Sequence, residues 1–256
     1  MLPQPTDEVL SSIYTENYFL GSEDERARDR VANIKRATAG LYLNVIKQFV
    51  DAQKPHMLEI GCGSGDFLVE ARDRGFTVEG IEYSEHAAAA ANGRLGGQSV
   101  VVGSPDTVTL PTESYDVIAA FDVIEHVRDP KQSIHRIHSL LKPTGLAAIV
   151  TPSLDSWSRH LLGRYWMEYK PEHLTYFSRK SLRRLLENAG FTKVDFVPNY
   201  KVLTYDYISR HFDRFPVPVV STITRAVRTV IPEVLAHRKV TVVASGTMAL
   251  ASKGAF

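Results

Sequence analysis

The chain has 256 residues, 44% of them hydrophobic and 23% charged, the balance of a globular protein able to bury a sizeable core. A formal net charge of +1 offers no global attraction to nucleic acid, and the single cysteine, Cys62, excludes an internal disulfide and a cysteine metal cage. The opening MLPQPTDEVL has no basic segment followed by an apolar run, and no apolar run is long enough to span a bilayer, so a cytoplasmic protein is expected.

Residues 1–54 read as an N-terminal helical arm, helical from Ser22 to about Gln53. Glu23, Asp24 and Glu25 sit where a helix dipole favours acids. Leu41, Val45, Phe49 and Val50 recur at helical spacing, and Pro55 closes the arm. Residues 55–200 then alternate: HMLEI as a strand, a glycine turn, a helix from Phe67 to Arg74, TVEGIEY as a strand, an alanine-rich helix from Ser84 to about Leu95, and the strands SVVVG and YDVIAAF. Asp129-Pro130 caps and opens a helix carrying Ile134, Ile137 and Leu141, which KPTG ends before the strand GLAAIVTP. An irregular aromatic stretch from Thr151 to Ser178 leads to a helix capped by Ser178 and ended by Gly190, then to the strand TKVDFV. Residues 201–239 read as a helical insertion broken by Pro216, Pro218 and Pro232, and residues 240–256 as a closing strand. The expected fold is α/β, a Rossmann-like doubly wound sheet, mostly parallel, with an antiparallel C-terminal strand at one edge.

The stretch LEIGCGSGDF turns from a strand through Gly61, Gly63 and Gly65 into a helix. Glycine lets a ligand touch the backbone, and the helix start offers unpaired N–H groups. A dinucleotide site would place its third glycine at residue 66, which is Asp66, and a carboxylate beside a pyrophosphate is unfavourable. S-adenosylmethionine carries no phosphate and is cationic at its sulfonium and amino group, so the carboxylate of Glu59 suits it. Glu82, ending the second strand, can accept both ribose hydroxyls, and Tyr83 can lie on the adenine face.

In these segments the chain resembles the class I S-adenosylmethionine-dependent methyltransferases. LEIGCGSGDF, GIEYS, SYDVIAAFDVIEHVRDP, LLKPTGLAAIVTP and PEHLTYFSRKSLRRLLENAGF are similar to successive motifs of that family, from about His56 to Val197. The resemblance implies a methyl donor whose product is S-adenosylhomocysteine. It implies that Gly61, Gly63 and Gly65 approach the methionine part and ribose, with the Cys62 N–H mattering more than its sulfur. Ser104 and Pro105 would border the adenine, and Phe121 and Asp122 would face the methionine end. Many relatives have an acid where Ser104 stands, so adenine contacts are expected from backbone.

Asp122, Glu125 and His126 emerge together at the end of the fourth strand, and His173 follows in PEHLTYF. Three readings compete. His126 or His173 is a general base; or Asp122, Glu125, His126 and His173 bind a divalent metal; or Glu125 and His126 brace the helix while His173 anchors a lid. The acceptor is expected to be a small molecule that offers a hydroxyl oxygen, in a secondary-metabolite or glycan pathway; the alternative is a lipid-linked or amine acceptor, metal-assisted through Asp122, Glu125, His126 and His173. Tyr18 and Trp166 are its candidate contacts, the remaining aromatics being read as lid packing. Residues 203–236 mix apolar and basic residues, which suits a buried stripe under a cationic face, a membrane surface or a homodimer. A nicotinamide-dependent oxidoreductase and a non-catalytic S-adenosylmethionine-binding regulator are the competing classes.

Overall fold

The computed structural model describes residues 4–6, 9, 25–214, 216–217 and 219–254. The expected helix start at Ser22 and the aromatics Tyr14, Tyr18, Phe19 and Phe215 lie outside the described residues.

Helix α1 spans Glu25–Ile46 and closes in a 3-10 turn over Lys47–Phe49. Its buried stripe is Ala39, Tyr42, Leu43 and Ile46, spaced as one face of a helix. Of the four residues expected at helical spacing, Val45, Phe49 and Val50 pack against this cluster as partly buried side chains, and Leu41 is half-buried beside it. Tyr42 holds a core position because its hydroxyl donates to Asn199 Oδ1 at 2.5 Å while its ring is buried.

One seven-stranded sheet runs in the order β3-β2-β1-β4-β5-β7-β6. Its strands are β1 (His56–Ile60), β2 (Thr77–Glu82), β3 (Val100–Val102), β4 (Tyr115–Phe121), β5 (Leu141–Pro152), β6 (Lys193–Leu203) and β7 (Val240–Ser252). Strands β1 to β5 pair in parallel, and β7 is antiparallel to both its neighbours. The C-terminal strand therefore has the expected direction but not the expected place, since it slots between β5 and β6. Its Met248, Ala249, Leu250 and Ala251 are buried and suit a strand paired on both sides. Strand β6 carries Pro198, which cannot donate to a ladder, and so takes the edge. KPTG also departs from expectation: the preceding helix stops at Leu140, and these residues form an irregularity early in β5.

Side chains alternate across the sheet. On β4, Val117 and Ala119 pack with Met57, Val150 and the α1 stripe. Ile118 and Ala120 pack with Leu58, Ile149 and the helices on the other face. The helices flanking the sheet are well punctuated. In α2 (Asp66–Asp73) Gly65 is the N-cap; in α3 (Glu85–Leu95) the Ser84 hydroxyl accepts from Ala87 N–H; in α4 (Pro130–Leu140) the Asp129 carboxylate accepts from Lys131 and Gln132 N–H. The aromatic stretch holds a short helix, α5 (Trp157–Leu162), and α6 (Arg179–Asn188) starts at a Ser178/Ser181 capping box. Helices α7 (Tyr205–Arg214), α8 (Val220–Arg228) and α9 (Glu233–Ala236) connect β6 to β7. No described helix is long and apolar enough to cross a membrane.

Candidate active site

The order of strands reverses between β1 and β4, and the crevice at the carboxyl ends of such strands is where α/β sheets bind ligands. The glycine loop lines it. Gly61 adopts φ +70°, and a Cβ there would stand 2.6 Å from Val123 Cγ2, so the β1 and β4 ends touch. Gly63 adopts φ +52°, but a Cβ there would meet nothing within 4 Å, so this backbone faces open space. Gly65 caps α2. Cys62 is buried and burial pushes its thiol up, which leaves it a small neutral filler.

Glu82 Oε2 accepts the Gly63 N–H at 2.7 Å and its Oε1 accepts the Ser84 N–H at 2.9 Å. The residue expected at the ribose thus also clamps the glycine loop to the end of β2. Tyr83 is 72% exposed beside it, free to cover a flat ring. Ser104 opens a turn in which its own N–H donates to Thr107 Oγ1, and the carbonyl of buried Pro105 accepts from Arg136 Nε at 3.3 Å.

Glu59 is 5% exposed, and its Oε2 has no hydrogen-bond partner among the described residues. Burial pushes its carboxyl well above the usual range, helped by Asp66 and Glu82 and opposed by Lys35. Such an orphaned acid under the glycine loop fits a cationic group docking there. Asp66, the first residue of α2, meets Arg94 at 2.7 Å and Lys35 at 3.8 Å. A carboxylate at the first position of the helix disfavours a pyrophosphate at its N-terminus.

Asp122 adopts φ +53°, a costly backbone for a residue with a side chain. Lys201 Nζ, from β6, donates to its Oδ2 at 2.8 Å. Burial raises the Asp122 carboxyl, but Lys201, with Lys170 and His126, outweighs it and holds the group below the usual carboxylate range. Its side chain remains 46% accessible through the cleft although protein surrounds it closely. Phe121, just before it, packs on Phe67 and Tyr42 with ring centroids 4.8 and 4.9 Å apart. Glu168 adds a further pair, with Lys170 at 3.4 Å and a hydrogen bond from Ser245. His211 of α7 joins this group, its imidazole lowered by burial and by Lys170.

His126 and His173 meet edge to face with ring centroids 4.7 Å apart, so the PEHLTYF segment does fold onto the end of β4. His126 Nδ1 lies 3.0 Å from the Glu172 carbonyl, which can only accept, so Nδ1 carries the proton and Nε2 the lone pair. His173 is 7% exposed with Nδ1 unpartnered among the described residues, and burial, reinforced by His126, lowers its imidazole to about 4. Glu125 is buried. Thr151 Oγ1 donates to its Oε2 at 2.9 Å, and burial next to Asp122 pushes its carboxyl up to about 8. One ligand atom each from Glu125, His126 and His173 lies within 4.8 Å of the others. The fourth residue of the expected metal set, Asp122, is turned to Lys201 instead and does not join them.

Trp166 also corrects an expectation. It is 2% exposed, its indole N–H donates to Ser158 Oγ at 3.1 Å, and its ring packs on Tyr169 and Tyr176. It is the core of the lid rather than a wall open to an acceptor. Sequence reasoning missed Lys201, Glu168, Lys170 and Tyr42. For Lys201 the only signal is a cation within the strand VPNYKVL, where nothing in the sequence names its partner 79 residues away.

A family model described as a methyltransferase domain matches residues 32–195, more than half of the chain. A probable S-adenosylmethionine-dependent methyltransferase of Mycolicibacterium smegmatis is 32% identical over 142 residues, 54% of this chain and 52% of that protein. The chain therefore spans about half the length of that relative. A ubiquinone biosynthesis O-methyltransferase of Rhodopseudomonas palustris is 28% identical over 180 residues, 63% of this chain and 71% of that protein. Among solved structures, a methyltransferase of Thermotoga maritima, described as a possible histamine N-methyltransferase, superposes with a TM-score of 0.58 at 19% identity. It covers 90% of this chain and 96% of its own. The chain belongs to the class I S-adenosylmethionine-dependent methyltransferases, and its cofactor is S-adenosylmethionine.

Proposed function

We propose that the chain transfers the methyl group of S-adenosylmethionine to a hydroxyl oxygen of a small-molecule acceptor of secondary-metabolite or glycan type. The observation that carries the reading is the juxtaposition of two features: a glycine loop open at Gly63 over the orphaned Glu59, and a polar cleft at the end of β4. Glu59 and the backbone of Gly61, Cys62, Gly63 and Gly65 hold the methionine end and ribose, with Glu82 on the ribose hydroxyls. Tyr83, Ser104 and Pro105 border the adenine, and Phe121 and Asp122 face the transferable methyl. The bound cofactor supplies an activated methyl, so alignment of the acceptor oxygen with it provides much of the rate. His126, with its lone pair on Nε2, takes the acceptor proton, and His173 backs it. The Rhodopseudomonas relative, named as an O-methyltransferase, supports oxygen as the acceptor atom.

The test is calorimetric titration with S-adenosylhomocysteine and, separately, NADH, followed by transfer of labelled methyl to phenols and sugars. Saturable binding of S-adenosylhomocysteine alone, lost in Glu82→Ala, supports the cofactor site. Binding of NADH alone overturns it, and label appearing only on amines overturns the oxygen.

A second reading is favoured by one observation. Glu125 Oε1 and His173 Nδ1 are both buried without hydrogen-bond partners among the described residues, and they sit with His126 within 4.8 Å of one another. A divalent cation held by these three would polarise an acceptor hydroxyl. Activity that survives exhaustive chelation and ignores added Mg²⁺, Mn²⁺ and Zn²⁺ removes this reading.

A further inference from the structure

Lys201 belongs to none of the motifs that mark the cofactor site, yet it makes a short ion pair at the end of β4. Its Nζ reaches 2.8 Å from Asp122 Oδ2, from β6 across β7 and β5 to the end of β4. Three further observations bear on what the pair does. Asp122 keeps φ +53°, a conformation that persists only where its surroundings hold it. Only Oδ2 is engaged by Lys201, and the side chain stays accessible through the cleft. Val123, the next residue, stands against Gly61, so Asp122 adjoins the cofactor loop.

We propose that Lys201 is a positioning residue that holds the Asp122 carboxylate toward the methyl-bearing end of the cofactor. The pair thereby distinguishes cationic S-adenosylmethionine from S-adenosylhomocysteine, whose sulfur is neutral. This rests on the cofactor assignment above. When the acceptor oxygen bonds to the methyl carbon, the carbon–sulfur bond breaks and its electron pair stays on sulfur. The acceptor proton passes to a base, and the positive charge leaves the sulfur. A carboxylate fixed beside that sulfur attracts the substrate form and loses its partner in the product form, which favours exchange of product for fresh cofactor. A flexible carboxylate would swing away from the site; the bond from Lys201 fixes it. Lys201 itself is kept cationic, since Asp122, Tyr42 and Glu168 outweigh its desolvation.

The experiment is calorimetry with S-adenosylmethionine and S-adenosylhomocysteine in the absence of acceptor, on the full chain and on Asp122→Asn, Lys201→Met and Lys201→Arg. Asp122→Asn is expected to weaken S-adenosylmethionine about tenfold, the equivalent of about 1.4 kcal/mol, while S-adenosylhomocysteine stays within about twofold. Lys201→Met is expected to shift the ratio of the two affinities the same way, and Lys201→Arg to preserve it. Equal losses for both ligands, or an unchanged ratio, in variants with native circular dichroism overturn the proposal. Should Asp122→Asn fail to fold, the two Lys201 variants decide by the same ratio. Failure of the unmodified chain to bind either ligand strikes the cofactor assignment itself, whereas binding with an indifferent ratio strikes only this inference.

Discussion

Glu82 and Gly63 are joined by a 2.7 Å hydrogen bond from a loop N–H to a buried carboxylate, which locks the open face of the glycine turn to the end of β2. A charge-assisted bond of this kind is stronger than a neutral one. Under the proposed function the same carboxylate also holds the ribose, so that Glu82 would act twice on one ligand. Glu82→Ala removes both actions and is expected to abolish measurable S-adenosylhomocysteine binding. Glu82→Gln can keep an oxygen on only one of the two N–H groups and is expected to lose at least tenfold. Calorimetric titration of the two variants separates these outcomes, and equal, wild-type affinities would remove Glu82 from the site.

The glycines of the loop are not interchangeable. Gly61→Ala places a methyl 2.6 Å from Val123 at φ +70°, combining a clash with backbone strain, and is expected to destabilise the fold by about 2–4 kcal/mol. Gly63→Ala has room and bears only the left-handed backbone cost of about 1–2 kcal/mol. Its methyl would project into the ligand's space, so it is expected to stay folded and lose cofactor affinity. Denaturant melts and titration on the pair check this, and a Gly63→Ala protein that binds normally would show the open space to be unused.

The fold around the glycine loop was legible because its signals are local. LEIGCGSGDF and GIEYS each carry a strand end and its turn within about ten residues, and the strand–helix alternation gave the parallel sheet. What was hidden is tertiary. The Asp122–Lys201 pair spans 79 residues, and the Tyr42–Asn199 bond spans 157. Neither partner betrays the other in sequence. The placing of β7 inside the sheet depends on which of two adjacent strands tolerates an edge, which Pro198 decides only once pairing is known. Trp166 misled because an aromatic in a lid reads the same whether it lines a pocket or fills a core.

The burial of Trp166 has its own consequence. Trp166→Phe keeps most of the packing on Tyr169 and Tyr176 and loses the bond to Ser158, an expected cost of about 1 kcal/mol. Trp166→Ala empties a large buried volume and is expected to cost about 3–5 kcal/mol. Urea melts report both values. A Trp166→Phe protein of full stability but altered acceptor affinity would return this residue to the substrate side.

Acid–base behaviour should follow from two buried groups near the end of β4 that act in opposite directions. Glu125 has a folded value of about 8 against an ordinary 4.5, so the native state binds the extra proton between these limits. Its contribution to stability is full below about 4.5 and fades as pH rises through 8. His173 has a folded value of about 4 against an ordinary 6.5, so its contribution is present above 6.5 and is lost as pH falls through 4. The two oppose each other between about 4.5 and 6.5, and from 6.5 to 8 the Glu125 effect remains unopposed by His173. Stability is therefore expected to decline from pH 6.5 to 8, and Glu125→Gln, a neutral isostere, to flatten that decline. Added Zn²⁺ or Mg²⁺ provides an internal control. A cation held by Glu125, His126 and His173 needs the deprotonated carboxylate, so its stabilisation should grow with pH where the metal-free protein weakens. Melting temperatures across this range, with and without cation, distinguish a proton held by Glu125 from a metal held there, and a flat profile in the unmodified protein would contradict the burial of that charge.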